Sequence, residues 1–394
     1  MYSAARPSAC HAMKIAIVTD DLTSATDGAA GFAERGWSAR VVRGTSLGAS
    51  VSSAELVSVD VASRTRARQE AISRVHAAGM AVGHAALVVK QFDSTLRGHV
   101  AAETLALLRA TKRHRVVVAP AFPAAGRTTI GARQFVDGIP VHESVYAADP
   151  LNPVRSNDIR ALFEEEGAEV ARSEADRGSV LILDGETEAD LTAIASRYIG
   201  RSDLVLAGST GLMRALARVS EQGPHRGSAL PPSRRVLIVV GSMNVRSREQ
   251  LDTLRPTATP ISTIAADTDL PSMADAIGTQ FRSADVVAIT TDATPADPRR
   301  VAQRLSQIVA HVIEKAFVDA LVVTGGDTLA EILERLATDS LRVCREIEPG
   351  IPLCILDQPR AIPLISKAGG FGSADIFLKA LHTLRGMHGK ELAS

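Results

Sequence analysis

Short apolar runs alternate with amphipathic stretches along the whole chain, and this alternation constrains the fold more than any other feature. Lys14 to Thr19 reads as a buried strand and Ala25 to Glu34 as the helix after it. Leu56 to Val61, Ala86 to Gln91 and Arg115 to Ala119 read as further strands, with helical patterns at Arg66 to Ala78 and Val100 to Arg109. Val180 to Asp184 and Leu204 to Ala207 extend the series, with a helix at Leu191 to Tyr198 between them. Alternating strands and helices predict an α/β architecture with mostly parallel sheets. One stretch departs from it. Thr128 to Val145 carries β-branched residues and an Asp137-Gly138 turn signal, which predicts a hairpin excursion.

Glu221 to Ser233, EQGPHRGSALPPS, has no apolar period and is rich in Gly, Pro and Ser, so it reads as a linker. Beyond it the alternation restarts. Strands are expected at Arg235 to Val240, Asp285 to Thr290 and Ala320 to Thr324, and helices at Ser247 to Leu254, Val301 to Lys315 and Thr328 to Leu336. The expected organisation is a loose tail over 1–13, an α/β domain over 14–220, the linker over 221–233 and a second α/β domain over 234–394. A length of 394 residues, more than one core usually fills, agrees with two domains.

Composition removes several function classes. The chain holds 44 basic and 44 acidic residues, which argues against a duplex nucleic-acid binder or a polybasic membrane anchor. Aromatic residues make up only 3%, too few for single-strand stacking platforms. Cys10, Cys344 and Cys354 form neither a disulfide framework nor a zinc pattern, so a reducing compartment is expected. No apolar run has the length of a membrane span, and the first residues lack a signal-peptide core. A cytoplasmic protein without a membrane or nucleic-acid partner is the expectation.

In open α/β sheets ligands bind beyond the carboxyl ends of the strands, so residues just after each strand are the informative ones. The first strand runs into Asp20-Asp21-Leu22-Thr23-Ser24. One aspartate suits a helix cap; two together suit a general base or a magnesium ligand. Lys90 to Gly98, KQFDSTLRG, gathers two cations, a carboxylate and two hydroxyls. Lys90 and Arg97 suit the carboxylate of a small polyhydroxy anion, and Asp93 and Ser94 suit its hydroxyls, although a capped helix start is the plainer reading. Ser63-Arg64-Thr65 offers another cation, and the rigid loop Pro120 to Thr129, PAFPAAGRTT, offers Arg127.

The second half has three glycine-bearing turns: Gly241-Ser242, Thr324 to Thr328 (TGGDT) and Lys367 to Gly372 (KAGGFG). Glycines let backbone N–H groups approach an anion closely, and Asp327 or Thr328 suits a helix cap. P-loop, protein-kinase and complete dinucleotide signatures are absent from the sequence, as are G-x-S-x-G and H-E-x-x-H. The residues thus suit phosphoryl transfer in a cleft between two domains, and other two-substrate chemistry equally.

At these same motifs, together with Glu348 to Pro352 (EPGIP), the chain resembles the four-carbon acid sugar kinase family from Lys14 to about Leu384. The resemblance implies an N-terminal acid-sugar-binding domain, a C-terminal nucleotide-binding domain and an active site in the interdomain cleft. It implies that Asp20, Arg64, Lys90, Asp93 and Ser94 bind the sugar acid and that Ser242, Gly325, Gly326, Asp327, Thr328 and Gly370 bind ATP, with Gly369 and Gly372 in the same turn. Magnesium is expected with ATP, its ligands unassigned. The implied reaction phosphorylates the terminal hydroxyl of D-threonate, or of 3-oxo-tetronate or D-erythronate. Arg64 and Lys90 would meet the carboxylate, and Asp20, or else Asp21, would accept the proton. Two positions depart from the family pattern: Ser24 stands for a glycine after D-D-L-T, and His99 for an asparagine after R-G. A homodimer is the expected assembly. The rival readings are a dinucleotide-dependent oxidoreductase and a sugar-acid-binding sensor.

Overall fold

The structure, a computed structural model, describes residues 13–45, 47, 54–149, 151–225, 230, 233–265, 268–292 and 297–386. The expected tail to residue 12, with Cys10, and positions 226–229 and 231–232 of the expected linker lie outside the described residues. The chain divides into two compact units, Met1–Pro224 and His225–Ser394.

In the first unit β1 (Ile15–Thr19), α1 (Leu22–Glu34), β2 (Ala39–Arg43), β3 (Leu56–Asp60), α2 (Arg68–Val82), β4 (Leu87–Gln91), α3 (Val100–Thr111) and β5 (Arg115–Ala119) follow one another. Then come β6 (Arg127–Ile130), β7 (Arg133–Val136), β8 (Ile139–Pro140), α4 (Ile159–Glu165), β9 (Val170–Ala171), β10 (Val180–Ile182), α5 (Glu188–Tyr198), β11 (Leu204–Gly208) and α6 (Thr210–Val219). Eight strands form a parallel sheet in the order β2-β3-β1-β4-β11-β5-β10-β9. Its central strands are covered on both faces, which is why β1, β3 and β4 are buried at every position and read as mostly apolar runs rather than strictly alternating ones. Each fully buried Val or Leu contributes ~1.5–3 kcal/mol to that core.

Strand β1 pairs β3 on one side and β4 on the other. The chain therefore leaves β1 in one direction, returns, and continues in the other, which opens a crevice beyond the carboxyl ends of β1 and β4. The expected hairpin forms as β6-β7-β8, a separate antiparallel sheet. Asp137 and Gly138 both take positive φ, 50° and 80°, as a two-residue primed turn requires.

The second unit contains β12 (Val236–Val240), α7 (Val245–Asp252), β13 (Ile261–Ile264), α8 (Leu270–Gln280), β14 (Val286–Thr291), α9 (Pro298–Glu314), β15 (Ala320–Thr324) and α10 (Gly326–Arg335). It ends with β16 (Ser340–Glu348), β17 (Ile351–Leu356), β18 (Ile362–Lys367) and α11 (Ile376–Leu384). Strand order is β13-β14-β12-β15-β18-β17-β16. The first five strands are parallel and the last three are joined antiparallel. Here β12 lies between β14 and β15, so the same reversal of direction opens a second crevice beyond β12 and β15. Among the described residues no helix is long and apolar enough to cross a membrane.

Candidate active site

Beyond β1, the Asp20 carboxylate is 2% exposed and is forked by Arg64, which donates from Nε to Oδ2 at 2.8 Å and from Nη2 to Oδ1 at 2.9 Å. The Asp20 carbonyl accepts from the Ser63 and Arg64 N–H groups, so the β3 loop is tied to the β1 end twice over. Asp21 caps α1, accepting from Ser24 N–H at 2.7 Å, and Arg64 Nη1 donates to its other oxygen. Arg64 Nη2 also reaches Ser24 Oγ at 3.3 Å, so the hydroxyl at this position holds the arginine. Burial raises the proton affinity of Asp21 above the ordinary carboxylate range; Arg64 opposes this and neighbouring Asp20 adds to it. Burial disfavours charge on Arg64 too, but Asp20 and Asp21 hold it protonated.

The turn after β4 faces the same crevice. Asp93 accepts from Arg97 Nε at 2.7 Å and from the Thr95 hydroxyl. Burial alone would raise Asp93, but Arg64 and Arg97 hold it at about 2. Gly98 has φ +85°, and a Cβ there would stand 3.6 Å from Asp20 Oδ2 and 3.5 Å from Arg64 Cγ. The R-G step thus brings the β4 turn against the Asp20–Arg64 pair in a backbone conformation that favours glycine. His99 lies aside, its Nε2 2.8 Å from the Arg66 carbonyl. Gln134 of the hairpin donates to the Ser94 carbonyl at 2.8 Å and accepts from Thr129 Oγ1 at 2.7 Å, which fixes the hairpin to this turn.

Lys90 departs from the expectation that it lies open to a ligand. Its side chain is 0% exposed and its ammonium pairs with Glu103 Oε2 of α3 at 2.9 Å. An isolated ammonium at this depth carries a desolvation penalty that only a paired carboxylate offsets. Asp60, at the end of β3, was not singled out from the sequence. Burial pushes its carboxyl up to about 7; the Ala62 N–H opposes this, and Asp21 and Asp20 add to it. The only signal was a charge closing an apolar run. Tyr146 and Asp149 were missed as well: Arg97 donates to Asp149 at 3.2 Å and lies 5.4 Å from the centre of the Tyr146 ring, and Arg127 donates to the Tyr146 hydroxyl at 2.9 Å.

In the second unit the three glycine turns meet beyond β12, β15 and β18. A Cβ on Gly241 would fall 2.1 Å from Thr328 Oγ1, one on Gly369 2.2 Å from Ser242 Oγ, and one on Gly325 3.7 Å from Ser242 N. The Gly325 backbone has φ +105° and occupies the cap position of α10 with no side-chain hydrogen bond. That differs from the expectation that Asp327 or Thr328 caps the helix. Asp327 is exposed in its first turn, and the leading N–H groups of α10 keep their anion-binding capacity. Gly370 lies beside Asn244, 3.7 Å from Nδ2 by the same measure. Gly372 points its carbonyl at Arg246 and Gln250 and packs on Ile351, so it shapes the loop rather than lining the crevice.

Lys367 supports this turn from below. Its ammonium donates to Ser247 Oγ at 3.3 Å and to the Ala368 and Gly369 carbonyls at 3.1 and 3.2 Å; burial, with Arg246 adding, pushes it down to about 8. Glu348 of the EPG motif accepts from Ser373 N–H at 2.8 Å and from Lys379 at 2.7 Å and anchors the far end. Among the described residues no group of three His, Cys, Asp or Glu is arranged to hold a metal ion.

Comparison with known proteins agrees with the division into two units. Residues 15–216 match a family model described as a sugar-binding N-terminal domain, and residues 237–377 match a nucleotide-binding C-terminal domain. A D-threonate kinase of Bordetella bronchiseptica is 31% identical over 94% of this chain and 97% of its own. A D-threonate kinase of Salmonella typhimurium is 29% identical over 95% and 99%, and a 3-oxo-tetronate kinase of Burkholderia multivorans 26% over 94% and 97%. Haemophilus influenzae protein HI1011 shares the fold with a TM-score of 0.75 at 19% identity, covering 94% of this chain and 99% of its own.

Proposed function

The chain belongs to the four-carbon acid sugar kinase family, and from that premise we propose that it transfers the γ-phosphoryl group of MgATP to the terminal hydroxyl of D-threonate. The observation that carries this reading is the pair of strand-end crevices, one lined by carboxylates and guanidinium groups and the other by glycine backbone. The D-threonate kinases quoted above are more similar to this chain than the 3-oxo-tetronate kinase is, which favours threonate over its oxidised alternative.

In the first unit Asp93 and Ser94 orient the hydroxyls of the acid. Asp21 is the better proton acceptor of the aspartate pair. Arg64 forks both Asp20 oxygens but holds only one of Asp21, the other accepting from the Ser24 N–H, and the Asp21 side chain is 28% exposed with its proton affinity raised. Asp20 then acts by fixing Arg64. As the hydroxyl oxygen bonds to the γ-phosphorus, its proton passes to Asp21, the bond from the γ-phosphorus to the bridging oxygen breaks, and ADP leaves. In the second unit the backbone of Gly325 and Gly326, the α10 N-terminus, Ser242 and Gly370 hold the phosphates. Magnesium bound with the nucleotide would neutralise phosphate charge, and Asp327, an exposed carboxylate beside that turn, would be placed to hold it.

ADP release measured with D-threonate, D-erythronate and 3-oxo-tetronate tests the reading; no release with any four-carbon acid sinks it. Asp21→Asn is expected to keep ATP binding and lose ~10²–10⁴-fold in kcat, the range of a positioned base. Because the Asp21 proton affinity is raised, the acid limb of the rate profile should lie above the ordinary carboxylate range. Near-normal turnover in Asp21→Asn returns the role to Asp20.

A further inference from the structure

Of the four cations that the sequence singled out in the first unit, Arg64, Lys90, Arg97 and Arg127, three have carboxylate partners. Arg64 is paired with Asp20 and Asp21, Arg97 with Asp93 and Asp149, and Lys90 with Glu103. Arg127 differs. Among the described residues it forms no ion pair, its Nη2 donates to the neutral Tyr146 hydroxyl at 2.9 Å, its Nη1 donates to the Ala125 carbonyl, and its Nε–H is buried without a hydrogen-bond partner. The Tyr146 hydroxyl accepts from Arg127 and keeps its own proton to donate. The Tyr146 ring lies under both guanidiniums, 5.4 Å from that of Arg97 and 5.9 Å from that of Arg127. This ring links Arg127 to Arg97, and through Asp93 to the crevice in which Asp20 and Asp21 sit.

We propose that Arg127 and Tyr146 form the carboxylate subsite of the sugar acid, with the guanidinium supplying the unmatched charge and the phenol a second donor. The inference rests on the kinase reading above and replaces the expected contact from Arg64 and Lys90. The geometry gives the reason. A carboxylate arriving at Arg64 must compete with two aspartates already bonded to it, and one arriving at Lys90 finds no exposed surface. At Arg127 it meets a partly exposed guanidinium that, among the described residues, has no carboxylate partner and donates only to neutral oxygens. The loop is held for this: Phe122 and Arg127 exchange both backbone hydrogen bonds, at 2.8 and 3.0 Å, and the Asp137 N–H donates to the Gly126 carbonyl at 2.7 Å. The hydroxyl chain of a four-carbon acid held here extends toward Asp93 and Asp21, which leaves its far end for phosphorylation.

The test compares D-threonate with the uncharged four-carbon polyol of the same configuration, by calorimetric binding without nucleotide and by ADP release. Arg127→Gln should weaken D-threonate binding ~30-fold, the scale of one charge-assisted pair, and lower the acid-to-polyol ratio of kcat/KM equally, with KM for ATP unchanged. Tyr146→Phe keeps the ring under both guanidiniums and should lower the ratio ~5-fold, the scale of one hydrogen bond. Thermal unfolding of each variant identifies misfolding, and if Arg127→Gln does not fold, Tyr146→Phe decides alone. An unchanged acid-to-polyol ratio, or equal D-threonate affinity in wild type and variant, overturns the proposal. Binding of D-threonate without ADP release removes the kinase reading instead and leaves the binding comparison to decide this one.

Discussion

The two units use one strand plan for opposite kinds of chemistry. In each, the first strand lies between the third and fourth parallel strands of its sheet, β1 between β3 and β4 and β12 between β14 and β15, so each opens a crevice at the reversal. The first unit sets charged side chains there and pairs Arg64 with Asp20 and Asp21, Arg97 with Asp93 and Asp149, and Lys90 with Glu103, whereas Arg127 forms no ion pair among the described residues. The second leaves side chains out. Gly241, Gly325 and Gly369 stand so close to Thr328 and Ser242 that a methyl group would collide at Gly241 and Gly369. The difference follows from what each ligand offers. A small acid with several hydroxyls is told from its isomers by directional side-chain groups, whereas polyphosphate asks for many N–H dipoles at close range.

Four substitutions break or sharpen the contrast. The largest effect is expected in the first unit, where Lys90→Met leaves Glu103 buried and unpaired and should cost ~3–5 kcal/mol in denaturant unfolding. Adding Glu103→Leu should recover most of the loss; a single variant that costs nothing breaks the claim that this unit depends on charge matching. In the second unit Gly241→Ala must displace the stiff Thr328 side chain. It should raise KM for ATP ~10–100-fold at unchanged sugar-acid binding, as expected for backbone phosphate contacts worth about one charge-assisted hydrogen bond each. If both constants move together, the division of ligands between the units is wrong.

A smaller effect concerns Asp60. Its carboxyl titrates near 7 when folded, against an ordinary 3.8, so between these values the folded chain holds a proton that the unfolded chain has released. Stability should therefore fall as pH rises through that window, and Asp60→Asn should remove the slope and gain ~1–3 kcal/mol at pH 8 with little change at pH 4. Asp93, held at about 2, has the opposite sign: its contribution is present above the ordinary carboxylate value and lost as pH falls through about 2. The smallest effect belongs to Glu348→Gln, which weakens an anchor of the KAGGFG loop whose partner Lys379 is half exposed. It should raise KM for ATP only ~2–5-fold, in keeping with a partly screened ion pair.

Much of the fold was legible because parallel strands buried on both faces are mostly apolar runs, and because glycine, proline and paired aspartates mark where such strands end. Less legible were β2, whose ARVVR sets an arginine on either side of only two valines, and β16 to β18, where antiparallel strands follow one another without an intervening helix. The site divided in the same way. Asp20, Asp21, Asp93 and Arg97, and the glycine turns, are found by position after a strand. Tyr146 and Asp149 come from a loop past the hairpin, and no local pattern connects them to residue 97.

The sequence by itself determined which residues stand at strand ends and therefore which can face a ligand, since that follows from chain-local periodicity. Only the tertiary structure decided which charges remain available. Lys90 and Arg64 read as ligand-binding cations until Glu103, from the next helix, and Asp20 and Asp21, from another strand, are brought within hydrogen-bond distance of them. Charge matching depends on distances across loops that no spacing along the chain encodes, so one such cation is a buried, paired strut at position 90 while another, at position 127, forms no ion pair among the described residues.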